Sequence, residues 1–316
     1  IPVSITVEGA NILTRNMIIF FYVAIRCHPY LLKEVNATHD SNPERASLAF
    51  DEALIGHAKF TLRNTANSLV YALFGNYIKD IVPENSAPET AAYYRQLARF
   101  SASFACIADI ALMRLGGSLK RRERLSARLG DILSMLYLCS ATLKKFENDG
   151  QPAADLPLLH WSIQDALYRT QQAFDEFLSN YPGHFLIRTW LRWQVFPLGK
   201  RCSPPSDELS HRIARLILEP GEVRERLTAG IYVPTDDNEP LAQLEQALIC
   251  TIHCEPIEAR LRTATKEGRL TAKGDGKIAQ AVSLNLISAE EATLLEKMKV
   301  LRRRVIMVDD FSPSFD

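Results

Sequence analysis

The feature that most limits the fold of this chain is a helical spacing of apolar residues along most of its length. Between residues 118 and 146, for example, the apolar stripe includes Leu125, Leu129, Ile132, Leu136 and Leu143. This spacing places the side chains on one face of an α-helix, which turns once in about 3.6 residues. The strict alternation that is typical of half-buried strands is rare. Long helical segments joined by short loops predict an all-α protein, a helical bundle.

Proline, glycine and capping residues divide this pattern into separate helices. Asn42 followed by Pro43 predicts a helix start, and Gly116-Gly117 predicts a helix end. The string SAEE at residues 288–291 fits a capping box. The clearest linker is ENDGQPAADLP, residues 147–157. The predicted helices span residues 11–33, 43–78, 89–115, 118–146, 158–180, 184–195, 207–218, 221–229, 241–262, 277–284 and 289–304.

Composition narrows the classes of function. Lys plus Arg and Asp plus Glu both number 37, so no overall field favours nucleic acid, and we expect no nucleic-acid partner. The six cysteines lack the spacing of a disulfide framework, which indicates reduced thiols in a cytoplasmic protein. The longest uninterrupted apolar run, residues 17–25, is nine residues long. A helix needs about 20 such residues to cross a bilayer.

The string ITVEGANILTR, residues 5–15, joins a β-favouring run to an amphipathic helix through a Glu-Gly pair. A carboxylate just before a helix is favoured by the helix dipole, so Glu8 by itself is an ordinary helix-start residue. Gly9 allows close approach of a backbone or a ligand because it has no Cβ. The Glu8-Gly9 pair by itself therefore does not indicate a particular function.

With its surroundings, this motif resembles the end of the catalytic domain of acyl-CoA dehydrogenases. Those flavoenzymes carry a catalytic Glu followed by Gly, then usually Thr, with Ile or Leu five residues after the Glu and Arg seven after it. Glu8, Gly9, Leu13 and Arg15 occupy these positions. The strings PVSITVEGANILTRNMIIF, AIRCHPYLLKE and VDDF are similar to the large bacterial members of fatty-acid β-oxidation. Those members have a long helical extension after the catalytic part.

The resemblance implies a division of the chain. Residues 1–35 would be the C-terminal end of the catalytic domain, with its last helix, and residues 36–316 would be the helical extension. Within the extension we expect a long-helix bundle at about 43–180 and shorter helices at about 184–305. The chain would then be a C-terminal fragment, inactive alone, because most contacts to flavin and acyl-CoA lie upstream.

The resemblance also implies roles for individual residues. Glu8 would be the base that removes the α-proton of the acyl thioester, while the β-hydrogen leaves as hydride to FAD. Gly9, Ala10 and Asn11 would contact the cofactor, and Gly9 and Arg15 the substrate. Ala10 departs from the usual Thr, whose hydroxyl contacts the cofactor. No metal is implied.

The same resemblance implies partners: a fatty acyl-CoA substrate, an electron-transfer flavoprotein or similar acceptor, and a second copy of the chain in a homo-oligomer. A cytoplasmic location is expected, with peripheral contact at the inner membrane left open. The alternative function is a non-enzymatic helical scaffold or interaction module, in which Glu8 only caps a helix.

Two further motifs have competing interpretations. Cys250, His253 and Cys254 share one face of a predicted helix and could offer three metal ligands, but no second cluster supplies a fourth, so buried thiols are favoured. The string AKGDGK, residues 272–277, lacks the spacing of a phosphate-binding loop and is interpreted as a turn.

The segment HFLIRTWLRWQVFPLGKR, residues 184–201, interleaves aromatic and basic residues. Such a segment can lie at a membrane interface or can fill a bundle core with its aromatic rings, and the core interpretation is favoured. The basic cluster at residues 120–124 is interpreted as a solvated helix face, and the cluster at residues 302–304 as cations that offset the dipole at a helix C-terminus.

Overall fold

The structure is a computed structural model that describes residues 26, 28–232, 234, 236–274 and 276–307. Within these ranges every regular element is helical and none is a strand, which confirms the predicted all-α class. The chain divides into two compact units, the first ending at Ser210 and the second beginning at His211. The helices are α1 (Leu31–Thr38), α2 (Pro43–Phe74), α3 (Ala91–Leu115), α4 (Glu123–Asn148), α5 (Leu156–Ser179), α6 (Phe185–Val195), α7 (Asp207–Leu218), α8 (Glu222–Thr228), α9 (Pro240–Lys266), α10 (Gly276–Ser283) and α11 (Ala289–Ile306).

The predicted capping signals at helix starts are confirmed. The side-chain oxygen of Asn42 accepts hydrogen bonds from the backbone N–H groups of Glu44, at 3.0 Å, and Arg45, at 3.1 Å. At the start of α11, Ser288 and Glu291 form the predicted capping box. The Asn42 cap and the capping box both provide hydrogen-bond acceptors for backbone N–H groups that have no partner within the helix at its start.

The predicted stop after α3 is also confirmed, but the next helix begins later than expected. Gly116 ends α3 with φ of 45°, a left-handed conformation that glycine adopts readily. The residues that follow, Gly116–Arg121, form 3₁₀ turns, and α4 begins only at Glu123 instead of residue 118. The exposed cations at 120–124 therefore lie mostly in this connection.

The predicted helix over residues 11–33 is wrong in its C-terminal part, which the structure describes. The chain turns at Pro29 and Tyr30, and α1 begins at Leu31. Proline disfavours a helical backbone at the preceding residue, and His28 then accepts hydrogen bonds from two backbone N–H groups of the next turn. The earlier part of this predicted helix lies outside the described residues.

The first unit has its core between α3, α4, α5 and α6. Phe100 of α3 stacks on Phe174 of α5, with ring centroids 5.7 Å apart. Burying one such large apolar side chain stabilises the fold by about 1.5–3 kcal/mol. Polar contacts fix the register of α6, since Arg99 donates to the carbonyl oxygen of Val195 at 3.0 Å. The largest fully buried side chains are Tyr181, Phe100, Phe174, Phe177, Ile107, Leu119, Leu129, Ile132, Leu143, Ile163 and Leu178.

One stretch around α3, Pro88–Arg121, is long and apolar enough to span a membrane by length and composition alone. The core helix of a water-soluble bundle meets the same criterion. Here the helix carries two buried charged residues, Arg99 and Asp109, and its apolar face packs in the core of the first unit. These contacts favour the interpretation as a core helix.

In the second unit, α9 and α11 pack together and α10 packs against α11. Cys250 and Cys254 are buried in this core, and His253 is exposed on another side of α9. The three residues do not converge, so the interpretation of buried thiols is confirmed. Residues around Gly274 form the predicted turn before α10.

The predicted core packing of the aromatic and basic segment is wrong for its two tryptophans. Phe196 is 7% exposed, but Trp190 is 46% and Trp193 is 51% exposed. The reason is the register of α6, in which Leu191 and Val195 face the core and the tryptophans face away from it.

Candidate functional site

The residues with predicted catalytic, cofactor or substrate roles lie outside the described residues. They are Glu8, Gly9, Ala10, Asn11 and Arg15. Their roles therefore stay predictions. The described part of the chain nevertheless contains one cluster of buried ionisable groups, in the first unit.

The cluster joins the segment before α1 to α2 and α3. Asp109, in the middle of α3, is 2% exposed. His28 precedes α1, and His57 and Thr61 lie one turn apart on α2. Glu34, on α1, completes the group. Three separate parts of the sequence thus place two imidazoles and two carboxyl groups together.

The hydrogen bonds of His28 determine its tautomer. Its Nδ1 accepts from the backbone N–H groups of Tyr30, at 3.2 Å, and Leu31, at 3.0 Å. Nδ1 therefore carries no proton, and in the neutral ring the proton is on Nε2. Nε2 lies 3.0 Å from Oδ1 of Asp109 and donates to it.

Asp109 receives a second hydrogen bond. The hydroxyl of Thr61 donates to Oδ2 at 2.9 Å, so each carboxylate oxygen has a donor. Hydrogen bonds to a charged acceptor are stronger than those between neutral groups. They offset part of the free energy that is lost when a carboxylate leaves water.

Only one of the two ring nitrogens of His57 has a hydrogen-bond partner. Its Nδ1 lies 2.8 Å from Oε1 of Glu34, and since an ionised carboxylate only accepts, Nδ1 donates. Its Nε2 is buried without a hydrogen-bond partner and lies 3.9 Å from Oδ1 of Asp109. This distance is too long for a direct hydrogen bond.

Ligand atoms of His28, His57 and Asp109 lie within 4.8 Å of one another, close enough to suggest a metal site. A neutral imidazole binds a metal through the nitrogen that carries no proton. In His28 that nitrogen is Nδ1, and it already accepts two backbone hydrogen bonds, while Nε2 faces Asp109 with its proton. The arrangement therefore fits a hydrogen-bonded cluster better than a metal centre.

Aromatic packing closes one side of the cluster. The ring of Tyr30 is nearly parallel to that of His57, with centroids 6.2 Å apart. Tyr30 also lies over Gly56, where an added Cβ would be 2.3 Å from Cε1 of the tyrosine. Glycine at this position is therefore what allows the ring to approach α2.

A groove of about 390 Å³ with a mixed charged and apolar lining lies in the second unit, and a larger, mainly apolar groove of about 750 Å³ borders the cluster in the first. Glu34, His57 and Thr61 form the polar part of the wall of this larger groove. Chemically it offers an apolar surface with a polar edge. Its apolar lining includes Leu31, Val35, Leu54, Leu62, Leu112 and Met113.

His28, His57 and Asp109 belong to no recognisable site motif in the sequence. One signal was available, because Asp109 is the only charged residue in the apolar string ACIADIALM, residues 105–113. A lone carboxylate on such a helix is expected to have a partner when it is buried. Nothing in the local sequence, however, identified that partner as a histidine 81 positions away.

Comparison with known families gives a match that covers most of the chain. A family model described as "Acyl-CoA dehydrogenase, C-terminal, bacterial type" matches residues 25–311. No solved structure matches the chain.

Proposed function

Because the chain belongs to the bacterial-type acyl-CoA dehydrogenase family, matching its C-terminal domain over residues 25–311, we propose that it is the C-terminal part of an FAD-dependent acyl-CoA dehydrogenase. The complete enzyme would oxidise fatty acyl-CoA to trans-2-enoyl-CoA in fatty-acid β-oxidation. The observation that carries this proposal is the family match, which begins shortly after the motif that contains Glu8 and Arg15.

In the proposed reaction, Glu8 accepts the α-proton of the acyl thioester. This proton is only weakly acidic, so the carboxylate must reach it at hydrogen-bond distance while negative charge develops on the thioester oxygen. FAD, when bound, accepts the β-hydrogen as hydride. Arg15 would help to hold the substrate, and Gly9 would allow it to approach the backbone closely.

The cluster at Asp109 is not suited to hold the flavin. Both oxygens of Asp109 and both nitrogens of His28 are used in hydrogen bonds within the protein. As the family resemblance implies, the residues that would contact FAD are Gly9, Ala10 and Asn11, together with upstream parts of the enzyme. Asn11 or Thr14 would supply the polar group that Ala10 lacks.

The substitution Glu8→Gln in the complete enzyme tests the base. We expect FAD and substrate binding to be retained and nearly all turnover to be lost, because an amide cannot accept the proton. A matched control is Glu44→Gln, which changes an exposed carboxylate in the first turn of α2 and should leave turnover unchanged. Normal turnover of the Glu8 variant would place the base elsewhere.

The 316-residue chain alone provides a second test. We expect it neither to retain FAD after purification nor to reduce a dye with palmitoyl-CoA, since most flavin and substrate contacts would be upstream. A yellow, active preparation would contradict this part of the proposal.

One exposed surface of α2 supports the alternative function, a helical scaffold. We propose this role for the helical extension of the same enzyme. Leu48, Ile55 and Leu62 of α2 are 73%, 56% and 71% exposed. Their seven-residue spacing puts them on one face, opposite the buried Ala53 and His57. We propose that the catalytic part of the same polypeptide covers this face, because a row of large exposed apolar side chains is typical of a surface that packs against another domain.

Deleting residues 41–316 from the complete enzyme tests the scaffold role. The truncated enzyme should aggregate or change its oligomeric state, since its matching apolar surface would be exposed. A soluble, fully active enzyme with unchanged oligomeric state would contradict this role.

The proposed partners are a fatty acyl-CoA, an electron-transfer flavoprotein or similar acceptor, and a second copy of the chain. The proposed location is the cytoplasm. This agrees with the cysteines, all of which are free among those that the structure describes.

A further inference from the structure

Helix α6 has two faces of opposite character. Leu191 and Val195 are fully buried and attach the helix to the core of the first unit. The other face exposes four large apolar side chains within 11 residues. They are Phe185, 59% exposed, Leu186, 61%, Trp190, 46%, and Trp193, 51%.

Cations border this exposed face, which we call the α6 surface. Arg188 and Arg192 lie on the helix itself, and Lys200 follows it closely in the chain. Asp175 of α5 forms ion pairs with Arg192, at 2.5 Å, and with Lys200, at 2.9 Å. Two of these cations are thus paired with one carboxylate, and the exposed Arg188 on the same helix adds a further positive charge.

We propose that the α6 surface binds the face of a membrane that contains anionic phospholipids. Tryptophan is enriched at the boundary between headgroups and hydrocarbon, where its ring is buried and its N–H stays near polar groups. Lysine and arginine near such a surface are attracted by its negative potential. The α6 surface combines both features, and it is remote in sequence from Glu8 and independent of the proposed reaction.

The charge of the surface favours a lipid over a second protein as its occupant. Arg188 and Arg192, on the same helix as the two exposed tryptophans, match the phosphate groups that any anionic bilayer presents at high density. The helix is also already formed, because His184 caps it through Nδ1 and the N–H of Leu186, at 3.4 Å, and because its inner face is packed. Little conformational entropy is therefore lost on binding.

The size of the surface limits the strength of the contact. A helix of 11 residues is about 16 Å long. This is too short to cross a bilayer but long enough to lie in its interface. We therefore expect reversible, salt-sensitive binding.

Sedimentation of the 316-residue chain with vesicles tests the proposal. The chain should bind vesicles of phosphatidylcholine and phosphatidylglycerol, and bind pure phosphatidylcholine and high-salt samples much more weakly. The double variant Trp190→Ala/Trp193→Ala should weaken binding about tenfold or more, because two interfacial rings are lost. Arg188→Gln should reduce both the affinity and its salt dependence.

A matched control variant is Tyr137→Ala/Leu138→Ala, which removes two large exposed side chains, 71% and 50% exposed, from α4. It should bind vesicles like the unchanged chain. Circular dichroism and the melting temperature should be the same for all variants, since every substituted residue is exposed.

Tryptophan fluorescence provides an independent readout. The emission of the unchanged chain should shift to shorter wavelength with vesicles. In the tryptophan double variant only Trp161 remains, and its emission should not shift.

Three results would overturn the proposal. They are equal binding by the tryptophan variant and the unchanged chain, equal binding to neutral and anionic vesicles, and no binding to either vesicle. A change in oligomeric mass of the tryptophan variant without lipid, together with unchanged vesicle binding, would assign the surface to a protein contact instead.

Discussion

Nε2 of His28 donates a hydrogen bond to Oδ1 of Asp109 over 3.0 Å, across 81 positions of sequence. This contact joins the segment just before α1 to the middle of α3. The same histidine caps the turn before α1 through Nδ1, so one side chain determines both the local turn and the position of that turn against the bundle.

Replacing Asp109 by Asn should destabilise the first unit by about 1–3 kcal/mol. Asn has one acceptor oxygen and an NH2 group in place of the second, so the charge-assisted bonds from Nε2–H of His28 and from the hydroxyl of Thr61 become one neutral bond and one in which Thr61 must accept. Urea unfolding measures the change in the free energy of unfolding. Asp51→Asn, at an exposed position on α2, is the control and should have little effect. Equal stability of the two variants would show that the buried contact contributes nothing.

Zinc should not stabilise the cluster of His28, His57 and Asp109. The proton on Nε2 of His28 and the two hydrogen bonds to Nδ1 leave that ring without an available lone pair for a metal. The melting temperature should therefore be the same with excess Zn²⁺ as with a chelator, whereas a bound ion would raise it. A rise that disappears in a His57→Ala variant would contradict this prediction and establish a metal site.

Gly56→Ala should destabilise the contact between α1 and α2. The new Cβ would lie 2.3 Å from Cε1 of Tyr30, so the ring would have to move from its place against His57. Overpacking of this kind costs about 1–3 kcal/mol. Gly117→Ala is a matched control, since nothing lies within 4 Å of its added Cβ. Thermal unfolding of both variants should show a lower melting temperature only for the change at Gly56.

Cys254 should react slowly with alkylating reagents while the second unit is folded. Burial, followed by the nearby thiol of Cys250, raises its pKa to about 11. At pH 8 only about one thiol in a thousand would then be the reactive thiolate. Iodoacetamide labelling followed by mass spectrometry should detect little modification of Cys254 in buffer and full modification in urea. Rapid labelling in buffer would mean that α9 and α11 separate readily.

The sequence predicted the helices well where local signals define them. Asn42, Ser288 and Gly116 act on backbone groups within a few residues, and all three ends agree with the structure. The prediction failed where a local pattern was ambiguous. The apolar spacing before Leu31 continued through Pro29, and only the hydrogen bonds of His28 show where the chain turns.

By itself, the sequence determined the all-α class, the family resemblance and most helix ends, because helical periodicity and capping depend on neighbours in the chain. The tertiary structure alone decided that His28, His57 and Asp109 meet, and that Trp190 and Trp193 face away from the core. Both outcomes depend on how one helix is rotated against another. That rotation follows from the combined packing of several helices, which no local stretch of sequence specifies.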